Sequence, residues 1–182
     1  MSASDHKAGA PTPESIRVNV VTVSDTRTTL NDEGGRLVSE LCRAALLDVT
    51  GGAILPDDPA RIHDHVKGLA REGLVDAILV TGGTGIAARD VTVDVLAPLF
   101  DKTLPGYGEI FRALSFAEIG SAAMMSRATA GTIGRVVVFT LPGSPAGVRL
   151  ALEKLIIPEL PHIVSLLRRS FHDEHHQPKS PG

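Results

Sequence analysis

The feature of this sequence that most constrains its fold is a regular alternation of apolar, β-branched segments with amphipathic segments. Residues 16–24 carry four valines and predict a buried strand. Residues 34–47 follow with apolar side chains at helical spacing and predict a helix. Further strands are predicted over residues 48–55, 76–81 and 135–141, and further helices over residues 59–71, 92–100, 106–118 and 146–170. Pro158 and Pro161 predict a break or kink in the last helix, because proline removes a backbone donor.

This order of elements predicts an α/β fold. Parallel neighbouring strands need crossover connections, which helices supply. We therefore expect a three-layer α/β/α domain with a mainly parallel central sheet. In such sheets ligands bind beyond the carboxyl ends of the strands. Three motifs follow predicted strands directly: Ser24-Asp25, the glycine-rich loop 82–85, and the turn 142–145.

The composition excludes several classes of protein. The chain has 182 residues, which suits one hydrophobic core, and its formal net charge of −3 argues against a binder of nucleic acid backbones. The single cysteine, Cys42, cannot form an internal disulfide, as is typical of proteins from reducing compartments. No apolar run approaches the roughly 20 residues that span a bilayer. We therefore expect a cytoplasmic protein whose partners include neither nucleic acid nor a membrane.

Three segments are predicted along the chain. Residues 1–15 are polar and contain prolines, and they predict a flexible N-terminal arm. Residues 16–170 hold all the predicted strands and helices and form the domain. Residues 171–182 are polar with two prolines and predict a disordered C-terminal tail.

The glycine loop contains Gly82, Gly83, Thr84 and Gly85 directly after a predicted strand. It lacks the Gly-Lys-Ser or Gly-Lys-Thr of a Walker loop. Residues 83–88 fit a dinucleotide fingerprint, but prolines and a glycine interrupt the following βαβ unit that this fingerprint requires. Two interpretations stay open: a loop whose N–H groups converge on an anion, or a tight turn that binds nothing.

Acidic residues also follow the strands. Asp57 and Asp58 lie after the second predicted strand, and Asp90 follows the glycine loop. Carboxylates beside a bound phosphate need a divalent cation between them, and oxygen ligands favour Mg²⁺. The alternative is that these acids only form turns and cap helices.

Several separated blocks, read together, resemble the MoaB and Mog family of molybdenum cofactor biosynthesis proteins over roughly residues 16–167. The blocks are residues 23–27, 32–35, 56–58, 81–85, 89–92, 105–109, 126–128 and 141–145. Residues 111–120 and 156–160 are more similar to the MoaB branch than to Mog.

The resemblance implies an enzyme, a molybdopterin adenylyltransferase. The terminal phosphate of molybdopterin would attack the α-phosphorus of Mg-ATP, giving adenylyl-molybdopterin and pyrophosphate. The resemblance further implies Mg²⁺, ATP as co-substrate, a homotrimer or hexamer, and a separate metal-insertion enzyme as a possible partner. Arg89-Asp90 is retained here, whereas MoaB members that lack this pair are poor catalysts, so we expect activity.

The resemblance also assigns residues. Asp57 matches the essential acid and is expected to bind Mg²⁺ or organise the transition state, and Asp90, beside Arg89, is expected to orient the pterin. Gly82, Gly83, Thr84 and Gly85 are expected to hold phosphate. Further substrate contacts are expected from Ser24, Asp25, Thr81, Ser126, Arg127, Gly143, Ser144 and Pro145.

Two other functions remain possible from the sequence. One is a non-catalytic protein of the same pathway that binds molybdopterin or acts as a scaffold. The other is a dinucleotide-dependent oxidoreductase, which rests on the glycine fingerprint alone. Pyrophosphate release from molybdopterin and Mg-ATP separates the first alternative from the enzyme, and binding of NAD or FAD tests the second.

Overall fold

A six-stranded sheet forms the centre of the computed structural model, which describes residues 11–175 and their side chains up to residue 169. The elements follow the chain as β1 Arg17–Val23, α1 Glu33–Ala44, β2 Asp48–Leu55, α2 Pro59–Glu72, β3 Ala77–Thr81, α3 Thr92–Leu96, β4 Lys102–Thr103, α4 Pro105–Ile119, β5 Ala130–Ile133, β6 Val136–Leu141, α5 Pro145–Ala151 and α6 Ile157–His175.

The strand order is β2-β1-β3-β6-β5-β4. Strands β2, β1, β3 and β6 are parallel, whereas β5 and β4 are antiparallel to their neighbours. The predicted α/β fold with a mainly parallel sheet is confirmed. The two antiparallel strands were not predicted, because β4 is only two exposed residues long and β5 is a four-residue segment containing Gly131.

Alternating side chains of each strand face opposite helix layers, as the period of two requires. Val18 and Val20 of β1 belong to a core with α1, α4, α5 and α6. Val21 and Val23 of the same strand belong to a second core with α2 and α3. The predicted three layers are therefore present, with one hydrophobic core on each face of the sheet.

Strand β2 contains the Gly51-Gly52 pair that weakens its sequence signal, yet it spans the predicted residues. Val18 of β1 pairs with Val49, and Asn19 pairs with Gly51, so Thr50 is an extra residue in a β-bulge. The Thr50 hydroxyl donates to the Val18 carbonyl oxygen at 3.3 Å. Because β2 lies at the end of the sheet, the glycines reduce packing at an edge rather than in the centre.

The C-terminal helical region is irregular close to its prolines. Helix α5 passes into a π-helical turn, Leu152–Ile156, directly before α6 and Pro158. Helix α6 continues to His175, so residues 171–175 of the predicted tail are helical, and residues 176–182 lie outside the described part. Within residues 11–175, no helix is long and apolar enough to cross a membrane.

At the amino ends of the strands, a buried carboxylate joins three elements. Asp76 precedes β3 and accepts hydrogen bonds from the Arg17 backbone N–H at 2.9 Å and from the Arg17 Nε at 3.1 Å. Arg168 of α6 forms an ion pair with Asp76 at 3.0 Å and donates to the Ser15 carbonyl oxygen. Residues 13–15 of the predicted flexible arm form a 3-10 turn at this point, whereas residues 1–10 lie outside the described part.

Candidate functional site

Four loops meet at the carboxyl edge of the sheet, because β2, β1, β3 and β6 are parallel. They are the segment after β1 that begins at Ser24, the segment after β2 that contains Asp57, the glycine loop after β3, and the turn 142–145 after β6. The Ser24 N–H donates to the Leu55 carbonyl oxygen at 2.8 Å, and this hydrogen bond joins the loop after β1 to the end of β2. The fold thus brings the sequence motifs to one edge.

Asp25 and Asp57 hold these two loops together reciprocally. The Asp25 N–H donates to Asp57 Oδ2 at 3.2 Å, and the Asp57 N–H donates to Asp25 Oδ1 at 3.1 Å. The neighbouring Asp58 has a different role, since its carboxylate accepts from the Arg61 N–H at 3.0 Å and caps α2. The helix-cap interpretation therefore holds for Asp58, whereas Asp57 faces the site.

The electrostatics of Asp57 show that acids are concentrated here. Burial raises the pKa of the Asp57 carboxyl, and the negative charges of Asp25 and Asp90 raise it further. The hydrogen bond from the Asp25 backbone N–H and the positive charge of Arg89 lower this pKa, but they do not outweigh the other effects. A cation among these carboxylates would relieve that repulsion.

The same acids set the kind of metal site that is possible. Among the side chains that the structure describes, up to residue 169, no group of three or more His, Cys, Asp or Glu could hold a metal ion. Mg²⁺ commonly binds through one or two carboxylates plus substrate phosphates. Asp57 with its acidic neighbours therefore fits Mg²⁺ that arrives with a phosphorylated substrate.

The glycine loop approaches β1 closely. Gly82 has φ +99°, and a Cβ at this position would overlap the Val23 carbonyl oxygen. Gly83 has φ +63°, and a Cβ there would overlap Thr92 Oγ1 and lie 3.3 Å from Asp57 Oδ1. Glycine is therefore required for the loop to reach Asp57.

Asp90 closes the other end of this loop. Its Oδ2 accepts from the Ala87 N–H at 2.8 Å, and a Cβ at Gly85 would lie 2.7 Å from the same oxygen. Neither Asp90 nor Thr92 caps α3, since the N-cap residue is Val91 and it makes no side-chain cap bond. The capping alternative for Asp90 is therefore not observed, and its carboxylate stabilises a turn beside Asp57.

Arg127 supports the glycine loop and the residues after it through hydrogen bonds. Its Nε donates to the Gly85 carbonyl oxygen at 2.7 Å, another guanidinium nitrogen donates to the Asp90 carbonyl oxygen, and a third pairs with Asp94 at 2.7 Å. Its backbone N–H donates to the Thr84 carbonyl oxygen at 3.0 Å. These bonds make Arg127 a support of the loop, and its expected contact with substrate stays a prediction.

A cavity of about 230 Å³ lies beside the loop. Predicted residues in its lining are Ser24, Thr81, Gly82 and Gly143. The lining residues that were not assigned a role from the sequence are Thr22, Val23, Thr26, Arg27, Asp32 and Gly34. Residues 32–35 are one of the quoted family blocks, and that block was the signal available for Asp32 and Gly34.

A second, smaller cavity of about 130 Å³ adjoins the turn 142–145 and is mostly apolar. Ser126 and Ser144 both line it. The Ser144 hydroxyl oxygen also accepts from the Gly147 N–H at 3.2 Å and caps α5, in which Pro145 is the first residue. Six of the predicted substrate residues therefore line one of two cavities that share the turn 142–145. The linings of these two cavities do not include the others, which are Asp25, Gly83, Thr84, Gly85, Arg89, Arg127 and Pro145.

Comparison with known proteins identifies the family. Residues 19–162 match the family described as "Probable molybdopterin binding domain". The chain belongs to this family. It is 48% identical over 170 residues to molybdenum cofactor biosynthesis protein B of Bacillus cereus, covering 93% of this chain and 99% of that protein. The predicted membership of the MoaB/Mog family of molybdenum cofactor biosynthesis proteins is confirmed.

Solved structures of MoaB proteins share the fold. A crystal structure of a molybdenum cofactor biosynthesis protein B superimposes with a TM-score of 0.83 at 47% identity, covering 87% of this chain and 99% of that one. The tungsten cofactor synthesizing protein MoaB of Pyrococcus furiosus superimposes with a TM-score of 0.76 at 38% identity, covering 86% and 99%.

Proposed function

We propose that this protein is a molybdopterin adenylyltransferase. A terminal phosphate oxygen of molybdopterin attacks the α-phosphorus of ATP and forms a new P–O bond. The bond from the α-phosphorus to the oxygen that bridges it to the β-phosphorus breaks, and pyrophosphate leaves with that electron pair. The product is adenylyl-molybdopterin, which a metal-insertion enzyme of the pathway would then use.

The observation that carries this proposal is the convergence of Asp25, Asp57 and Asp90 on the glycine loop beside a cavity. Phosphoryl transfer depends on positioning and on neutralising charge rather than on a protein nucleophile. The chain's one thiol suits this chemistry poorly as a nucleophile, because Cys42 is fully buried in the core. The site supplies carboxylates, hydroxyls and backbone amides instead.

Asp57 would hold Mg²⁺, with Asp25 and Asp90 close enough to influence its charge. When bound, Mg²⁺ supplies positive charge that neutralises the phosphate oxygens. Arg89 and Asp90 would orient the pterin. Ser126 and Ser144 would contact its phosphate from the smaller cavity, and the larger cavity would receive the nucleotide's phosphates.

Substitution of the two acids tests these roles. Asp57→Asn is expected to retain molybdopterin binding but to abolish pyrophosphate release from molybdopterin and Mg-ATP, because it loses the charge that organises the phosphates. Asp90→Asn is expected to weaken molybdopterin binding. Asp58→Asn is the matched control, since Asn also caps helices well and this carboxylate faces α2.

The outcomes separate the enzyme from the scaffold. Pyrophosphate release that depends on Asp57 and not on Asp58 supports the adenylyltransferase. Molybdopterin binding by the wild-type protein without any pyrophosphate release would replace it with the non-catalytic binding protein. Equal turnover in Asp57→Asn and wild type would refute the assignment of Asp57.

A homotrimer or hexamer is part of the same proposal. It is supported by exposed apolar side chains on α4 and the turn after it, where Phe116 is 62%, Ile119 59% and Met124 80% exposed. Apolar side chains grouped on a surface indicate association between proteins. Light scattering of the purified protein measures the assembly directly, and a monomer at all concentrations would contradict it.

A further inference from the structure

Thr92 belongs to the quoted block 89–92, but the proposed function as described gives it no role. It is the first residue of α3 and is fully buried. Its backbone N–H donates to the Gly83 carbonyl oxygen at 3.1 Å and holds the glycine loop against α3. Its side chain does not cap this helix, since the N-cap residue is Val91. The local helix geometry therefore does not explain the hydroxyl of Thr92.

This hydroxyl is a buried polar group. Within residues 11–169, no group forms a hydrogen bond with Thr92 Oγ1. A threonine hydroxyl can donate one hydrogen bond and accept two. Burying it unpaired is unfavourable, whereas valine has nearly the same shape and avoids that cost. A threonine at this position therefore indicates that the hydroxyl has a partner in the working protein.

The surroundings of Gly83 show which partner is available. A Cβ at Gly83 would overlap Thr92 Oγ1 and would lie 3.3 Å from Asp57 Oδ1. The hydroxyl oxygen and the carboxylate oxygen therefore both lie close to one point beside the Gly83 Cα. Because residue 83 has no side chain, it places no atom of its own at that point.

The two oxygens of Asp57 have different surroundings. Oδ2 accepts from the Asp25 N–H at 3.2 Å, and this bond holds one side of the carboxylate. Oδ1 is the oxygen that faces Gly83. A carboxylate oxygen has two lone pairs, and the last torsion angle of an aspartate side chain has a broad energy minimum. A rotation of this carboxylate can therefore bring Oδ1 within reach of the Thr92 hydroxyl.

We propose that Thr92 is a positioning residue whose hydroxyl donates a hydrogen bond to Asp57 Oδ1 beside Gly83. This bond joins the start of α3 to the segment after β2 that carries Asp57. With the Asp25 N–H on one oxygen and the Thr92 hydroxyl on the other, the carboxylate keeps a single orientation. The hydrogen bond itself is independent of the reaction, whereas its effect on turnover rests on the proposed function.

A double-mutant cycle tests the hydrogen bond without substrate or metal ion. Urea denaturation is measured for wild type, Thr92→Val, Asp57→Ala and the double variant. We expect Thr92→Val to lower the urea midpoint when Asp57 is present, and to leave the midpoint unchanged or raise it when Asp57 is replaced by Ala. If the hydroxyl has no partner, valine should instead stabilise the protein in both backgrounds.

Thr132→Val is the matched control for this cycle. Thr132 is also a buried threonine, but it lies on β5, which is distant from β2 in the strand order. The change that Thr132→Val makes to the urea midpoint should be the same with and without Asp57. The same additivity in the Thr92 cycle would overturn the proposed hydrogen bond.

Turnover tests whether the bond positions Asp57 for the proposed reaction. Thr92→Val is expected to lower kcat for pyrophosphate release by about tenfold or more, because a misplaced catalytic group lowers turnover. KM for molybdopterin should stay close to that of wild type, since the fully buried Thr92 does not reach the substrate. Thr92→Ser keeps the hydroxyl and is expected to restore most of kcat. A kcat in Thr92→Ser as low as in Thr92→Val, or an unchanged kcat in Thr92→Val, would overturn the positioning role.

The failure of this inference and the failure of the proposed function give different results. Additive stabilities in the Thr92 cycle, together with pyrophosphate release by the wild type, would remove the inference and leave the proposed function. Coupling between Thr92 and Asp57 without pyrophosphate release by the wild type would retain the hydrogen bond and remove the proposed function.

Discussion

Replacing Asp76 by Asn should destabilise the fold strongly, although this residue lies at the opposite edge of the sheet from the candidate site. The Asp76 side chain is 5% exposed and is held by Arg17 and Arg168. Asn preserves the shape but removes the charge and directs an NH₂ group at donors. Breaking a buried ion pair costs about 3–5 kcal/mol. The two arginine side chains are 32% and 36% exposed and can regain water, so we expect about 3 kcal/mol, at the lower end of that range.

The pH dependence of this effect has a definite sign. Burial raises the pKa of Asp76, but the hydrogen bonds and charges of Arg17 and Arg168 outweigh it and hold the pKa below its ordinary value. A carboxyl with a lowered folded pKa contributes stability above its unfolded value of about 3.9, and that contribution is lost as the pH falls through the folded pKa. The stability difference between wild type and Asp76→Asn should therefore narrow below about pH 4.

Urea denaturation at several pH values measures this difference. At neutral pH we expect the free energy of unfolding to fall by about 3 kcal/mol and Tm to fall by about 6–12 °C. Asp48→Asn, an exposed acid at the start of β2, is the control and should lie within about 0.5 kcal/mol of wild type. A variant as stable as wild type, or a difference that persists undiminished in acid, would refute the account of Asp76.

Two further predictions concern the loop brace and the thiol. Arg127→Ala should speed amide hydrogen exchange across residues 85–90, because it removes the hydrogen bonds to the Gly85 and Asp90 carbonyl oxygens. Arg149→Ala, which breaks an exposed ion pair, is the control and should leave this exchange unchanged. Equal exchange rates in the two variants would contradict the role of Arg127 in supporting the loop. Burial raises the pKa of Cys42 to about 12 despite the charge of Arg43, so a thiol reagent at pH 8 should label it only after denaturation. Rapid labelling of the native protein would show that this core opens.

The sequence predicted the parallel part of the fold because each strand there carries a strong local signal. The valines of β1 and the apolar run of β6 are buried on both faces, and such strands read as continuous apolar segments. Strands β4 and β5 have no such signal. They form because β5 pairs with β6 and β4 pairs with β5. Long-range pairing of short segments cannot be deduced from a local pattern.

The sequence predicted which residues belong to the candidate site, but it did not predict the contacts that each of them makes. Position after a parallel strand was enough to place Asp25 and Asp57 at the same edge of the sheet. It could not separate Asp57 from Asp58, because that depends on which of two adjacent carboxylates turns towards the first turn of α2. The hydrogen bonds from Arg127 to the loop were not predicted either, because Arg127 lies far from the loop in sequence; its substrate contact, assigned by family likeness, stays a prediction.

The turn 142–145 borders the space beside Asp32 through Gly143 and the space beside Ser126 through Pro142 and Ser144. A substitution that moves this turn therefore reaches both cavities. In the proposed adenylyltransferase, such a substitution would therefore affect how both reactants are received. Attempts to redesign specificity should begin at residues further from this partition, such as those on α1 or α4.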